Sequence, residues 1–224
     1  MPDRHDQDDP SKASAALSRR QFLRGVGAVG AGSALATELL APETAEAEPG
    51  PLSAPPAGIT LKKGAQAITL NVNGKDTTMQ VEPRTTLLNA LRNHAEPAIT
   101  GPKLICDQGA CGGCTMLLDG KTVYGCMLLA VDTIGRKITT VEGLGGADGG
   151  LSPLQEAFVD RDALMCGFCT PGFVTSATAL LKSNPNPTRE DIQKGCAGNV
   201  CRCGTYPYIF EAVAQAARKM RGGA

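Results

Sequence analysis

Four cysteines stand in one short stretch, I-C-D-Q-G-A-C-G-G-C-T-M-L-L-D-G-K-T-V-Y-G-C, from Ile105 to Cys126. Cys106, Cys111 and Cys114 follow C-x4-C-x2-C, and Cys126 comes after eleven further residues. That is the ligand spacing of a plant-type [2Fe–2S] centre. Three thiolates on one tight loop converge on two irons only if the backbone curls around the inorganic core. Gly109, Gly112 and Gly113 permit the curl and let backbone N–H groups approach the sulfurs. Disulfides or a zinc site are the alternative readings of the same residues.

A second constellation lies further along. Cys166-Gly-Phe-Cys169-Thr-Pro171 is followed, thirty-one residues after Cys169, by Cys201-Arg202-Cys203. Four thiolates from two such loops can hold a second [2Fe–2S] cluster, and a four-cysteine zinc site is the rival. Disulfides fit less well, because a bridge within C-x-C or C-x-x-C constrains the unfolded chain little. Nine cysteines less two sets of four leave Cys196, read as a buried spare thiol, with exchange into a ligand set the minor alternative. Only His5 and His94 are histidines, and His5 falls in the leader described below. That excludes a Rieske centre and a zinc site of two cysteines and two histidines. Arg202 belongs either near an anionic cluster, whose potential it would raise, or in a salt bridge with a partner.

These loops need scaffolds. Ala67 to Val72 alternates apolar and polar residues as a half-buried strand does. Asn73-Gly74 marks a hairpin turn, and Asp76 to Val81 returns. Thr86 caps a helix over Leu87 to Asn93, with Leu87, Leu88 and Leu91 inward. Cys114 to Leu118 is a strand, Asp119-Gly120 a second turn, and Lys121 to Val131 the return strand carrying Cys126. Lys137 to Val141 reads as a last edge strand. Two hairpins and one helix suggest a β-grasp. Leu104, Ile105, Met116 and Leu117 read as walls that keep water from the cluster, or as ordinary core.

After the glycine-rich connector Gly143–Gly150 the periodicity turns helical. Ser152, Pro153 and Gln155 start a helix running to about Asp162. Further helices are expected over Gly172 to Lys182, from Thr188 with Asp191 three residues on, and over Pro207 to Met220. The fold class is α+β: an N-terminal β-grasp over residues 66–142, the connector 143–151 and an all-α four-helix domain over 152–221.

Residues 1–47 read as a leader. Ser18-Arg19-Arg20-Gln21-Phe22-Leu23-Arg24 is a twin-arginine signal, followed by a mild apolar run and an A-x-A cleavage site at Ala45-Glu46-Ala47. Twin-arginine export carries folded proteins, which suits a cofactor inserted before export to the periplasm. Gly25 to Gly30 matches G-x-G-x-x-G, but no strand precedes it and the dinucleotide reading is rejected. Residues 48–65 form a Pro-rich arm. With 22 basic and 22 acidic residues and no Trp, nothing favours nucleic-acid binding. No apolar run reaches the roughly 18 residues of a membrane span.

The motifs C-D-Q-G-A-C-G-G-C-T with Cys126, C-G-F-C-T-P-G-F, and G-N-V-C-R-C-G-T-Y, in this order, resemble the iron–sulfur subunit of the molybdenum hydroxylases, the xanthine dehydrogenase and aldehyde oxidase family. With its leader, the chain is most similar to the small subunit of a periplasmic aldehyde oxidoreductase. The resemblance runs from about Ala67 to Lys219. It implies a plant-type ferredoxin-like domain followed by the helical one. It implies that Cys106, Cys111, Cys114 and Cys126 bind the outer cluster and Cys166, Cys169, Cys201 and Cys203 the inner, with Cys203 beside the pterin of the molybdenum cofactor. Partners implied are a large molybdopterin-binding subunit and either an FAD-binding subunit or a cytochrome c. The reaction implied is oxidation of an aldehyde or N-heterocycle in another subunit. No proton-abstracting carboxylate, nucleophile or phosphate loop is evident here, so the chain is expected to relay electrons rather than make bonds. A free-standing two-cluster ferredoxin-type carrier is the alternative.

Overall fold

The computed structural model describes residues 63–146 and 149–222, within one compact unit spanning Thr60–Ala224. The twin-arginine segment, the A-x-A site, the G-x-G-x-x-G match and the stretch Pro49 to Gly58 lie outside the described residues.

The first hairpin pairs β1 (Gln66–Val72) with β2 (Lys75–Val81) antiparallel, from Gln66↔Val81 to Val72↔Lys75. Asn73 and Gly74 turn it at φ 52° and 79°, the left-handed pair that a two-residue hairpin needs. The second pairs β3 (Thr115–Leu118) with β4 (Lys121–Tyr124), turning at Asp119 and Gly120 with φ 50° and 82°. Between the hairpins comes α1 (Leu87–Asn89), capped by Thr86 Oγ1, which accepts from the Asn89 N–H at 3.3 Å. It widens at once into a π-turn, Ala90–His94. The expected helix is therefore in place, with Leu87, Leu88 and Leu91 buried, but its second half is wider than an α-helix.

Two expectations are corrected. The return strand does not reach Val131. It ends at Tyr124, and Cys126 sits in a 3-10 turn, Gly125–Met127, with a second 3-10 turn at Ala130–Thr133. The chain leaves the sheet there to set the Cys126 sulfur 3.3 Å from that of Cys114. Nor is the last strand an edge. β5 (Lys137–Thr139) lies in the middle of the sheet, whose order is β2-β1-β5-β3-β4, parallel to β1 and antiparallel to β3.

The turn residues explain how so short a strand holds the centre. Asn73 donates its backbone N–H to the Ile138 carbonyl at 2.8 Å, and its side-chain amide bonds the Thr140 N–H and hydroxyl at 2.8 and 2.9 Å. At the other hairpin, Asp119 takes the Lys137 N–H at 2.8 Å and the Arg136 Nε at 2.7 Å, and donates its own N–H to Lys137 O at 2.8 Å. The Lys137 N–H, with the Arg136 guanidinium second, holds the Asp119 carboxyl below its ordinary range. Each hairpin tip therefore grips the strand that joins the hairpins, and buried Ile138 meets Val72 and Leu118 across the sheet.

Four helices follow. They are α2 (Pro153–Asp160), α3 (Thr170–Ser183), α4 (Arg189–Gly195) and α5 (Tyr206–Met220). Capping boxes start α2 at Ser152 with Gln155 and α4 at Thr188 with Asp191, each satisfying backbone donors at the helix end. The core between them is built on Phe158, Phe173, Ile192, Ile209 and Val213, and it includes Cys196. α3 also packs on β3 and β4, so one helix serves both halves. Its first turn begins at Thr170, earlier than Gly172, directly after Cys169.

Ile138→Ala is expected to destabilise the protein by about 2–5 kcal/mol, the usual cost of emptying a large core site. Ile134→Ala, at an exposed position, is expected to change stability by less than about 0.5 kcal/mol. Urea unfolding midpoints of the two variants measure the difference.

Candidate metal centres

The first centre is a loop wrapped on itself. Asp107, Gly109 and Gly112 all take positive φ (53°, 72° and 68°), curling residues 105–114 around one point. The Ala110 N–H donates to the Cys106 sulfur at 3.3 Å and the Gly113 N–H to the Cys111 sulfur at 3.4 Å. The Cys114 sulfur lies 3.3 Å from that of Cys126, and the Cys111 charge acts on the Cys114 thiol. Leu88 and Tyr124 pack over Cys114 and Cys126.

The electrostatics differ across this nest. The Gln108 N–H is the main cause that draws the Cys106 thiol down to about 7. Burial pushes Cys114 up to about 12. A thiol so placed keeps its proton unless a cation lies beside it, since burial disfavours the charged form. Met116 and Leu117 are fully buried, as walls should be, but Leu104 and Ile105 are each 47% exposed and form a rim instead. Ile105 lies across Gly113, where a Cβ would strike its Cδ1, so the curl turns its outer face to solvent.

At the N-terminal end of α3, Cys169 caps the helix and lies near Cys201 and Cys166, with Cys203 two residues beyond Cys201. Cys169 is hydrogen-bonded to Cys201 and feels the charge of Cys166, while the Cys203 N–H donates to the Cys201 sulfur. Burial would raise the Cys201 thiol, but hydrogen bonds led by the Thr205 hydroxyl, 3.1 Å away, outweigh it and bring it to about 7. Cys169 goes the other way, to about 12, by burial. Cys166 and Cys203 are exposed, with the exposed apolar residues Leu164, Met165, Phe168 and Val200 around them in the chain. Arg202 is exposed and joins no ion pair among the described residues.

Cys196 joins neither group. It caps α4 at 2% exposure, and burial alone raises its thiol to about 11.

The two nests touch. The Val200 N–H donates to the Cys111 carbonyl at 2.9 Å, linking the residue before Cys201 directly to a cysteine of the other loop. Beside this bond, Asn199 Nδ2 donates to Gly112 O at 2.9 Å and Tyr124 OH donates to Gly198 O at 3.1 Å. The approach is close enough to need glycine. A Cβ at Gly112 would collide with the Gly198 carbonyl, and one at Gly172 with the Gly112 carbonyl. Asn199, Ser176, Thr115 and Tyr124 were not among the residues expected to matter. Their signal is faint: an Asn between Gly198 and Val200 just ahead of Cys201, and a Ser on an otherwise apolar helix face.

The donor chemistry fits iron–sulfur clusters rather than single ions. None of the nine sulfurs is in a disulfide. Among the described residues no three His, Cys, Asp or Glu side chains gather as a single-ion site would require. Backbone N–H groups are aimed at the Cys106 and Cys111 sulfurs, and the Cys114 and Cys126 sulfurs meet at 3.3 Å. Thr170 Oγ1, one residue after Cys169, is a buried hydroxyl with no hydrogen-bond partner, and a sulfur atom is the kind of acceptor that would complete it.

Comparison with known proteins agrees. Residues 70–134 match the 2Fe-2S iron-sulfur cluster binding domain, and residues 140–214 match the [2Fe-2S] binding domain. The aldehyde oxidoreductase iron-sulfur-binding subunit PaoA of Escherichia coli (strain K12) is 37% identical over 220 residues, 92% of this chain and 90% of that one. The chain belongs to the iron–sulfur subunits of the molybdenum hydroxylases. This iron–sulfur subunit is also 51% identical over 149 residues to the nicotine 6-hydroxylase small subunit of Paenarthrobacter nicotinovorans, covering 66% of this chain and 88% of that one. Among solved structures, quinoline 2-oxidoreductase from Pseudomonas putida 86 superposes with TM-score 0.65 at 40% identity, covering 72% of this chain and all of the matched one. The α+β fold, ferredoxin-like domain first and helical domain second, is therefore that of the family. In an iron–sulfur subunit the substrate chemistry lies in another chain.

Gly112→Ala should lose thermal stability and first-centre iron together, since it adds left-handed strain of about 1–2 kcal/mol and a backbone collision. Gly120→Ala, with open space around it, should carry the strain alone and keep its iron. Melting temperature and iron content of the two variants test this.

Proposed function

We propose that Cys106, Cys111, Cys114 and Cys126 hold one [2Fe–2S] cluster and Cys166, Cys169, Cys201 and Cys203 a second, and that the chain relays electrons between a molybdenum-bearing subunit and an acceptor. When bound, each cluster takes up and returns one electron. The observation that carries the reading is the backbone hydrogen bond, Val200 N–H to Cys111 O, that joins the two cysteine-bearing loops. The chain's own residues do the rest. Ala110 and Gly113 aim N–H groups at sulfur, Leu88 and Tyr124 exclude water from Cys114 and Cys126, and Thr205 donates toward Cys201. Such donors and such burial tune a cluster's potential.

The electron source belongs on the side of Cys166 and Cys203. Leu164, Met165, Phe168 and Val200 leave an apolar surface there that a free carrier would not keep in water. This favours a subunit of a complex over a free-standing ferredoxin-type carrier, and supports a large molybdopterin-binding subunit whose pterin lies beside Cys203. The acceptor, a flavin subunit or a cytochrome c, then docks nearer Cys106. The match to an aldehyde oxidoreductase subunit across 92% of the chain supports an aldehyde as the substrate of the complex. The nicotine and quinoline relatives support an N-heterocycle instead. Ser18 to Arg24 supports twin-arginine export to the periplasm.

The complex, isolated anaerobically, should be brown, bleach with dithionite and contain about four irons per iron–sulfur chain, two for each cluster. A colourless, zinc-bearing protein would dismiss the proposal. Cys111→Ser should abolish one cluster's electron paramagnetic resonance signal and leave the other; loss of both would count against independent centres. Cys196→Ala should keep all the iron at a stability cost of roughly 1 kcal/mol for the lost packing.

A further inference from the structure

We infer that Asn199 is a positioning residue that sets the gap between the two cysteine nests, and with it the rate of electron passage from one to the other. The inference rests on the relay function proposed above.

Asn199 is 5% exposed and lies two residues before Cys201, and its side-chain hydrogen bonds all run to the walls of the seam. Its Oδ1 accepts from Ser176 Oγ on α3 at 2.7 Å. Its Nδ2 donates to Gly112 O at 2.9 Å and to Thr115 Oγ1 at 3.3 Å. The amide can face only this way, because the Gly112 carbonyl accepts and does not donate. One side chain thus ties three elements: the first cysteine loop, the start of β3 and the helix that begins at Cys169.

The bond beside it is the short path between the nests. Cys111 O receives the Val200 N–H at 2.9 Å, so a cysteine of the first nest and the neighbour of Cys201 are one hydrogen bond apart. That bond sits among glycines, Gly112, Gly172 and Gly198, whose missing side chains let the strands of backbone touch. Glycine permits the approach but does not hold it. Asn199 supplies the hold, with Tyr124 OH on Gly198 O as a second tie at the outer edge. In the step concerned, one electron leaves the Cys166–Cys203 nest and one arrives at the Cys106–Cys126 nest, with no bond made and no proton moved.

Asn199→Leu is the direct test in the intact complex. Leucine is close in size, and Gly112 O keeps the two bonds it receives from Thr115 N at 3.1 Å and Thr115 Oγ1 at 2.7 Å, while the buried Ser176 hydroxyl loses its Asn199 acceptor. The expected result is full iron content and both cluster signals, weakened spin–spin splitting when both clusters are reduced, and slower inter-cluster transfer than in the wild type. Wild-type splitting and transfer rate in an iron-replete variant would overturn the inference. If Asn199→Leu does not assemble, Ser176→Ala removes one of the ties alone; it should weaken the splitting in the same direction, and an unchanged splitting would overturn the inference equally. Failure of the relay reading looks different, because the wild-type complex would then lack iron or fail to bleach.

Discussion

Three hydrogen bonds converge on one carbonyl oxygen, that of Gly112. Thr115 donates twice, from its backbone and its hydroxyl, and Asn199 donates from the far half of the chain. The residue bearing this oxygen stands between two cysteines of the first nest, at a φ that favours glycine. The bond from Asn199 spans 87 residues of sequence. Loop curvature, sheet edge, helix start and second cysteine loop all have to agree for it to form. The fold is best understood as the set of elements that make this one oxygen reachable from both sides.

Around that point the protein keeps its sulfurs in unlike surroundings. Cys106 and Cys201 sit among N–H and O–H donors that favour the thiolate, while Cys114 and Cys169 are buried where a bare thiolate is unfavourable. Each nest therefore has one sulfur ready for a metal and one that needs the metal's charge to ionise. Burial and donors are the levers by which a protein sets cluster potential. Here they are divided within each nest rather than between the two.

How much of this the sequence made legible follows from what fixes each part. The spacing of the cysteines carries the two-cluster reading because covalent ligation tolerates few loop lengths. The hairpin turns and capping boxes were readable too, since Asn73-Gly74, Asp119-Gly120, Ser152 with Gln155 and Thr188 with Asp191 are local chemistry. The central place of β5, read from sequence as a last edge strand, is not local chemistry. Its true position depends on Asp119 and on Asn73, the latter a partner 67 residues from Thr140. Leu104 and Ile105 read from sequence as walls or as core, yet both are half-exposed, because the direction of a curled loop is not written in its composition. Asn199 escaped notice because a buried amide matters only through what surrounds it.

The central position of Lys137–Thr139 bears on how the molecule is born. Until that segment leaves the ribosome, the two hairpins share no strand, and the sheet exists only as separate ribbons. Contacts closed over such separations form late and slowly. The three cysteines of the first loop and Cys126 have been synthesised by then, so the nascent chain passes through an interval in which its thiols are present and its scaffold is not.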